Sequence, residues 1–359
     1  MGKNHLLLVI LLITISYSKE SDNFNQEVEG ISLFYDCKDI EALEPYKFDF
    51  YDSNGIPLTY EPSCIKYDSF RNRLIVLDTK KYQILIISPE GELLQEIGQQ
   101  GEAASEFIDP YSFSYDRYGN IYVIDLRKVE IYDSTGNEYR SFLPEYTPMQ
   151  ILVEDTNSIY ISTAVPTTGK VLARYNINGD LIEEYIDKVE VEHSHSREKI
   201  MLEMLSNQTA FAQDNDKNIY VVFTNEYRIV KIDKNGIVDN NYIIKEIPFE
   251  IIKPHVPINS TDRVMSFIAI DISVDEKGNL YVLWGENFGE PYCRVDVWDK
   301  NGNQINVLKL SIPYTGQEQG KGYLYPIKEI EVFQNYLYTI ESYAEGMIYR
   351  YDIGDIINE

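Results

Sequence analysis

The sequence predicts an all-β fold: a six-bladed β-propeller built from four-stranded antiparallel meanders. Two observations support it. One unit recurs six times along the chain, and within each unit short alternating strands are separated by acidic or glycine-closed turns. A single meander cannot bury both of its faces, whereas six meanders stacked radially bury one another and leave only short edges. Such a ring lets a chain of 359 residues fold without dividing into domains.

The second strand of each unit is its most regular feature. Five of the six carry a central tyrosine between apolar residues, and the six strands begin at Leu74, Ile121, Ile159, Ile219, Leu280 and Leu337. A first strand ending in an acidic residue precedes most of them, as in Phe113 to Asp116. Alternation bounded by Asp, Asn and Gly is typical of a tight antiparallel hairpin.

Each unit continues into a turn closed by glycine. Asp133 to Gly136 and Asp299 to Gly302 are two examples. The Asp side chain caps such a turn and the glycine can take a positive φ, which joins two antiparallel strands. The third strand is therefore expected to lead into a fourth, which completes the blade.

The N-terminal part of the chain is predicted to close the ring. Phe48 to Pro62 repeats the late half of a unit, and the last repeat ends where its fourth strand is due. An N-terminal strand would then complete the C-terminal blade. Two segments, Ile31 to Tyr35 and Ile56 to Tyr60, are candidates for this strand, and the sequence does not choose between them.

The connector from Ile97 to Pro110 is predicted to be a joint between blades. Its glycines would let an outer strand turn back across the rim, and Phe107 would fill the interface between blades. Pro110 would set the chain extended for the next inner strand.

The start of the chain has the pattern of a cleaved export signal. Lys3 precedes an apolar run from Leu6 to Ile15, which is too short to span a bilayer. Residues 1–18 are therefore predicted to be removed, and residues 19–359 to form one domain. A lipid anchor would need a cysteine where Lys19 stands. We expect an exported protein, periplasmic or extracellular, with no transmembrane segment and no lipid anchor.

The net charge bears on the binding partners of the protein, and the cysteine content bears on its disulfide bonds. The net charge of −26 repels phosphate backbones and anionic lipid surfaces, so nucleic acid is not an expected partner. The three cysteines allow at most one bridge. Cys37 to Cys64 is the favoured pairing, and the alternative is that all three, including Cys293, are small buried side chains.

An insertion around residues 188–207 interrupts the strand pattern. Ile200, Met201, Met204 and Leu205 follow Ser196 at helical spacing, which predicts a short helix. This helix would cover apolar blade surface or act as a lid over a partner.

Two long segments resemble a known family. "NRLIVLDTKKYQILIISPEGELLQEIGQQGEAASEFIDP" and "GNIYVIDLRKVEIYDSTGNEY" resemble NHL-type repeats, and more closely the exported bacterial six-bladed β-propellers. The resemblance extends roughly from Asp49 to Asp352 and implies the fold. NHL-type propellers generally serve as binding surfaces, so it implies a binding or scaffold module for a glycan, peptide or protein rather than an enzyme.

A ligand is expected where loops from different blades converge at the channel mouth. These are the loops that enter first strands and those between second and third strands. They contain aromatic and charged residues suited to sugar rings or extended peptides: Tyr82, Tyr111, Arg127, Tyr227, Trp284, Glu286 and Tyr343. The alternative is that tyrosine simply suits strands and their ends. The oligomeric state is left open.

The alternative function is a divalent-metal-dependent lactonase or lyase in the channel. Propellers resembling gluconolactonases hold calcium there, but the Glu-Gly-Pro-x-Trp-type strand typical of them is missing. Propellers resembling peptide-amidating lyases hold zinc with several histidines. Weak candidates here are Asp271 and Glu331 on inner strands and His193 and His195 in the insertion. No cofactor is predicted, and calcium or zinc belongs only to this alternative.

Overall fold

The computed structural model describes residues 40–47, 58–155, 158–163, 169–191, 196–247, 268–285, 292–312, 327–341, 347–354 and 356, without the side chains of residues 196–198 and 201. The predicted signal segment, Cys37 and the strand candidate Ile31 to Tyr35 lie outside these residues. Within them no helix has the length and apolar character needed to cross a bilayer.

The described strands form six sheets, named blades 1 to 6 in chain order. Two short N-terminal strands come first, β1 (Ala42–Leu43) and β2 (Tyr46–Lys47). Blade 1 contains β3 (Pro62–Asp68), β4 (Arg73–Asp78), β5 (Gln83–Ile87) and β6 (Leu93–Ile97). Blade 2 contains β7 (Pro110–Tyr115), β8 (Ile121–Asp125), β9 (Lys128–Tyr132) and β10 (Glu138–Phe142). Blade 3 contains β11 (Gln150–Asp155), β12 (Ser158–Ser162), β13 (Lys170–Tyr175) and β14 (Leu181–Asp187). Blade 4 contains β15 (Thr209–Gln213), β16 (Ile219–Phe223), β17 (Arg228–Ile232) and β18 (Val238–Ile244). Blade 5 contains β19 (Ala269–Val274), β20 (Leu280–Trp284), β21 (Tyr292–Trp298) and β22 (Gln304–Ser311). Blade 6 contains β23 (Ile327–Phe333), β24 (Tyr336–Glu341) and β25 (Ile348–Asp352).

The blades form a closed ring. The first strands β3, β7, β11, β15, β19 and β23 contact one another in turn, and β23 contacts β3. The apolar core lies between blades: Tyr122 and Ile124 of blade 2, for example, pack with Ile151 and Ile159 of blade 3. The six-bladed β-propeller predicted from the repeats is confirmed.

The tyrosine and the acidic residue of the repeat have a structural partnership. The Asp116 carboxylate accepts the backbone N–H of Tyr118 at 2.8 Å and of Asn120 at 3.0 Å, which fixes the turn between β7 and β8. The hydroxyl of Tyr122 donates to the same carboxylate at 3.2 Å. Tyr220 donates to Asp214 in the same way at 2.8 Å. These repeat tyrosines are therefore buried structural residues.

An N-terminal strand completes the last blade, as predicted, but at a different place. β2 pairs antiparallel with β25, and β1 pairs parallel with β22. The closing strand is Tyr46–Lys47, and residues 58–60 of the candidate Ile56 to Tyr60 carry no strand. Leu43 packs against the core shared by blades 5 and 6, which anchors this segment.

The predicted joint is confirmed at its aromatic residue and its glycine. Phe107 is fully buried and meets the ring of Tyr132 edge to face, with ring centroids 5.6 Å apart. Gly98 has φ +88°, and a Cβ there would lie 2.2 Å from the Phe107 ring. Only glycine fits this position without displacing the ring.

The insertion contains the predicted helix, α1 (Ser196–Ser206). Leu202 and Leu205 are buried, and Lys188 Nζ lies 3.2 Å from Glu203 Oε1. Asn207 receives the Val189 N–H at 2.7 Å, which holds the end of the helix against the chain that enters it. This burial favours the interpretation of α1 as a cover over blade surface.

Two of the three cysteines agree with the alternative of small buried side chains. Cys64 and Cys293 are both buried free thiols, so Cys64 does not form the bridge considered for it.

Candidate functional site

A cavity of about 500 Å³ opens at one end of the channel. It lies at the face where first strands begin and where the loops between second and third strands lie. First strands of all six blades contribute to its wall. This is the channel mouth predicted from the topology.

One position of the repeat forms the inner tier of the channel. It is the residue directly before Ile65, Phe113, Ile151, Phe211, Ile272 and Ile330 of the first strands: Cys64, Ser112, Gln150, Ala210, Asp271 and Glu329. All of these except Ala210, which packs in the core between blades 4 and 5, line the cavity. Several of these side chains accept a backbone N–H from the next blade. Ile65 donates to Glu329 at 3.0 Å, Ile151 to Ser112 at 3.3 Å and Ile330 to Asp271 at 2.7 Å. The open edges of β3, β11 and β23 are satisfied in this way by the neighbouring blade.

β-Bulges direct the residue one position before the inner tier into the cavity in four of the six blades. Strand pairing shifts register between residues 62 and 64, 110 and 112, 269 and 271, and 327 and 329. The residues inside these shifts all line the cavity: Ser63, Tyr111, Ile270 and Lys328. A bulge re-aims a side chain that a regular strand would direct elsewhere.

Charged side chains cluster on blades 5, 6 and 1. Lys66 Nζ lies 3.8 Å from Glu329 Oε1 and 3.6 Å from Glu331 Oε2. Burial, with the nearby charge of Glu329, raises the pKa of Asp271 to about 8, while Lys66 opposes the shift. Burial also raises the pKa of Glu331. At neutral pH Asp271 is therefore mostly protonated and uncharged.

Three polar groups of the cavity wall have no protein partner in the described part of the chain. The hydroxyls of Ser162 and Thr224, residues 1% and 8% exposed, make no hydrogen bond. The ammonium of Lys328 makes no hydrogen bond or ion pair there, and burial lowers its pKa. An unpartnered buried polar group costs about 1–3 kcal/mol. Water or a ligand in the cavity would remove that cost.

Of the predicted ligand residues, Tyr111 lines the cavity. Its hydroxyl is hydrogen-bonded to the carbonyl oxygens of Leu126 at 3.0 Å and Pro148 at 2.5 Å, so its ring is what the cavity presents. Tyr82 is half-buried against the core between blades 1 and 2, and Arg127 is exposed. Neither lines the cavity. Glu286 and Tyr343 lie outside the described residues.

The predicted placement of Tyr227 and Trp284 at the channel mouth is corrected. The two residues are 2% and 1% exposed, inside the interface between blades 4 and 5. With Trp298 they surround the ammonium of Lys245, which lies 5.7, 5.6 and 5.9 Å from the centroids of Tyr227, Trp284 and Trp298. Asp296 Oδ2 lies 2.9 Å from the same ammonium. These rings pack around a cation of the chain itself and do not line the cavity.

Two of the four metal candidates lie among the described residues. Asp271 lines the cavity, and Glu331 belongs to the same charged cluster, but the described residues contain no group of three or more His, Cys, Asp or Glu placed to hold a metal ion. His193 and His195 lie outside them.

Sequence reasoning missed Lys66, Glu329, Lys328, Ser162 and Thr224. The available signal was charge inside first strands, since "CIKYD" and "IKEIEVF" keep Lys and Glu among apolar residues. In an innermost strand such residues can only face the channel or a neighbouring blade. The orphaned hydroxyls had no sequence signal.

Comparisons with known proteins agree with the architecture. The sequence profile of the family DUF5128, described as "6-bladed beta-propeller", matches residues 57–247, slightly more than half of the chain. No curated protein matches the sequence.

Three solved structures illustrate the likeness. A "Putative exported protein" from Bacteroides fragilis has a TM-score of 0.57 at 13% identity, covering 88% of this chain and 96% of that one. A member of the duf4221 family from Bacteroides vulgatus has a TM-score of 0.53 at 12% identity, covering 87% and 97%. A gluconolactonase from Xanthomonas campestris has a TM-score of 0.50 at 11% identity, covering 88% and 99%. At these identities the likeness concerns the fold alone.

Proposed function

Because the chain belongs to this family of six-bladed β-propellers, we propose that it is an exported binding module that holds part of a glycan or peptide in its channel-mouth cavity. The cavity is the observation that carries the proposal. Its volume of about 500 Å³ falls within the ~300–1,000 Å³ typical of ligand pockets. Six blades supply its wall, so the site exists only in the assembled ring.

The chemistry of the wall supports recognition of a polar ligand. Blades 3 and 4 contribute uncharged hydrogen-bonding side chains, including Gln150, Gln208 and Thr209 together with the two unpartnered hydroxyls. Blade 2 contributes the ring of Tyr111. A few polar groups that converge around an apolar surface fix the orientation of a bound ligand.

Export is part of the proposal. It rests on the predicted signal at residues 1–18 and on the Bacteroides fragilis protein of the same fold, which is named as exported. Binding of a glycan or peptide outside the cytoplasm also suits a chain whose net charge of −26 opposes binding to nucleic acid. The likeness to NHL-type repeats remains a prediction.

Glycan and peptide arrays test the proposal. The double variant Gln150→Ala/Gln208→Ala removes two amides from the cavity wall and should weaken capture of the best array ligand at least tenfold. Asn240→Ala removes an exposed amide of β18 away from the mouth and should change nothing. Melting temperatures within about 2 °C of the parent, a change of about 1 kcal/mol or less, would show that both variants fold. Equal capture by the parent and the double variant would refute binding in the cavity.

A second candidate is hydrolysis or elimination in the same cavity. The observation that favours it is the acid pair, because Asp271 is protonated beside Glu329 and such a pair can supply a general acid and a general base. A metal-dependent form would need ligands beyond the described residues. Turnover of lactones or uronides that is abolished in Asp271→Asn, with stoichiometric calcium or zinc in the purified protein for the metal-dependent form, would support it over simple binding.

A further inference from the structure

Lys328 is placed in the cavity by the fold and has no hydrogen-bonding or ion-pairing partner among the described residues. It is the bulged residue of β23, since Ile327 pairs with Glu341 and Glu329 already pairs with Ile340. Its ammonium makes no hydrogen bond or ion pair within the described residues, although Glu329 and Glu61 are close enough to act on its charge. A lysine in this position is a point charge available to an incoming anion.

The other charged side chains of the inner wall already have partners within the protein. Lys66 lies within 4 Å of two carboxylates, those of Glu329 and Glu331. Glu329 also accepts the Ile65 N–H, and Asp271 accepts the Ile330 N–H. Lys328 is therefore the cation on this part of the wall that a ligand can engage without breaking an ion pair of the described chain.

The opposite wall offers hydroxyl groups. Ser162 ends β12 and Thr224 directly follows β16, so they occupy neighbouring blades at the same end of the ring. Both are buried, and neither hydroxyl has a hydrogen-bond partner among the residues that the structure describes. A ligand that carries hydroxyls of its own would satisfy them, whereas an apolar ligand would leave them unpaired at a cost of about 1–3 kcal/mol each.

We propose that the cavity recognises an acidic sugar, whose anionic group contacts Lys328, whose hydroxyls contact Ser162 and Thr224, and whose ring lies beside Tyr111. This rests on the proposed binding function and specifies the ligand. The rim carboxylates Glu61 and Asp109 lie farther out, four residues before Ile65 and Phe113, where they can accept hydrogen bonds from further hydroxyls. Burial lowers the pKa of Lys328, and a bound anion would oppose that shift.

Matched pairs of ligands test the anionic group. Oligomers of galacturonate, mannuronate and glucuronate are titrated calorimetrically at 0.15 M salt, each beside its methyl ester, which keeps the ring and hydroxyls but removes the charge. At least one acid should bind tenfold or more tightly than its ester, as charge-assisted hydrogen bonds are about twice as strong as neutral ones. Sulfated galactose oligomers show whether a sulfate can replace the carboxylate.

Variants assign the preference to Lys328. Lys328→Gln should bring the acid down to the affinity of the ester and leave the ester within twofold, while Lys328→Arg should retain the preference. Lys234→Gln, at an exposed turn on the opposite face, is the matched control and should change neither. Ser162→Ala and Thr224→Val should weaken acid and ester alike. A preference for the acid that survives Lys328→Gln would overturn the assignment.

The outcomes separate this inference from the proposed function. If no acid exceeds its ester, or if an amino sugar binds most tightly, while cavity variants still weaken binding, the acidic-sugar inference fails and the binding function stands. If no array ligand binds and Gln150→Ala/Gln208→Ala has no effect on any interaction, both fail.

Discussion

Replacing Lys245 by alanine should be one of the most destabilising single changes that leave the channel untouched. The Lys245 side chain is 8% exposed and its ammonium lies among three aromatic rings, 2.9 Å from Asp296 Oδ2 and 3.2 Å from Gln304 Oε1. Asp296 itself is fully buried. The contacts join the end of β18 in blade 4 to β20 and β21 in blade 5, so the substitution acts on one interface between blades.

The expected loss is about 3 kcal/mol. Removing one partner of a buried ion pair typically costs about 3–5 kcal/mol because the other charge is left uncompensated. Asp296 would retain Arg294 Nε at 2.7 Å and the Trp284 indole N–H at 3.0 Å, which places the loss at the low end of that range. Lys245→Met keeps most of the buried stem and should recover about 1 kcal/mol or less, because the cation–π contacts and the ion pair stay lost.

Two measurements check this prediction. The melting temperature should fall by about 6 °C, at about 2 °C per kcal/mol for a chain of this size. The chain has two tryptophans, and both, Trp284 and Trp298, surround Lys245. Native tryptophan emission should therefore shift to the red in Lys245→Ala. Lys234→Ala, at an exposed turn, should stay within about 0.5 kcal/mol of the parent. A loss below about 1 kcal/mol with unchanged emission would refute the role given to this cluster.

Three further predictions concern the joint, the connectors and the channel. Gly98→Ala should lower the free energy of unfolding in urea by about 2–4 kcal/mol, because positive-φ strain adds to the clash with Phe107. Gly169→Ala, also at positive φ but with open space around it, should lower it by only about 1 kcal/mol. Equal losses in the two variants would contradict the clash. Asp125→Asn should cost about 1–3 kcal/mol, because Asp125 accepts the N–H groups of Ile108 at 3.1 Å and Asp109 at 2.6 Å; an unchanged urea midpoint would contradict it. Because the pKa of Asp271 is raised to about 8, its contribution to stability is present below pH 4 and is lost as pH rises towards 8. The melting temperature of Asp271→Asn relative to the parent should therefore increase from pH 5 to pH 9, and a flat difference would be inconsistent with a protonated Asp271.

The blades could be predicted because each of their elements depends on local chemistry. The pairing of Asp116 with the tyrosine six residues later recurs along the chain because the carboxylate binds both the turn and the tyrosine hydroxyl. Such a pattern can be detected within a single unit of the sequence. The joint was equally legible, since Gly98 and Phe107 lie in one segment. The closing strand was not among the two candidates because Tyr46–Lys47 is only two residues long and has no alternation to detect.

The site was harder to predict because its residues are selected by pairing between strands. Trp284 ends β20 as Asp125 ends β8, yet one packs in an interface and the other holds a connector. Nothing in the two strands indicates which will occur. Lys328 faces the cavity because β23 contains a bulge against β24, and a bulge is a property of two strands in register rather than of either sequence.

Two adjacent positions of the repeat have different roles in the channel: one holds neighbouring blades together and the other lines the cavity. Inner-tier side chains such as Glu329, Ser112 and Asp271 accept an N–H from the next blade, so a substitution there disturbs two blades at once. None of the bulged residues one position earlier accepts such a bond among the described contacts: Ser63, Tyr111, Ile270 and Lys328. Tyr111 is still tied to the next blade through the carbonyl oxygen of Pro148, whereas Lys328 makes no hydrogen bond or ion pair with the described residues. Lys328 can therefore change in chemistry at little cost to the ring. We therefore expect the charge of Lys328, more than that of any inner-tier carboxylate, to determine which ligand the cavity accepts.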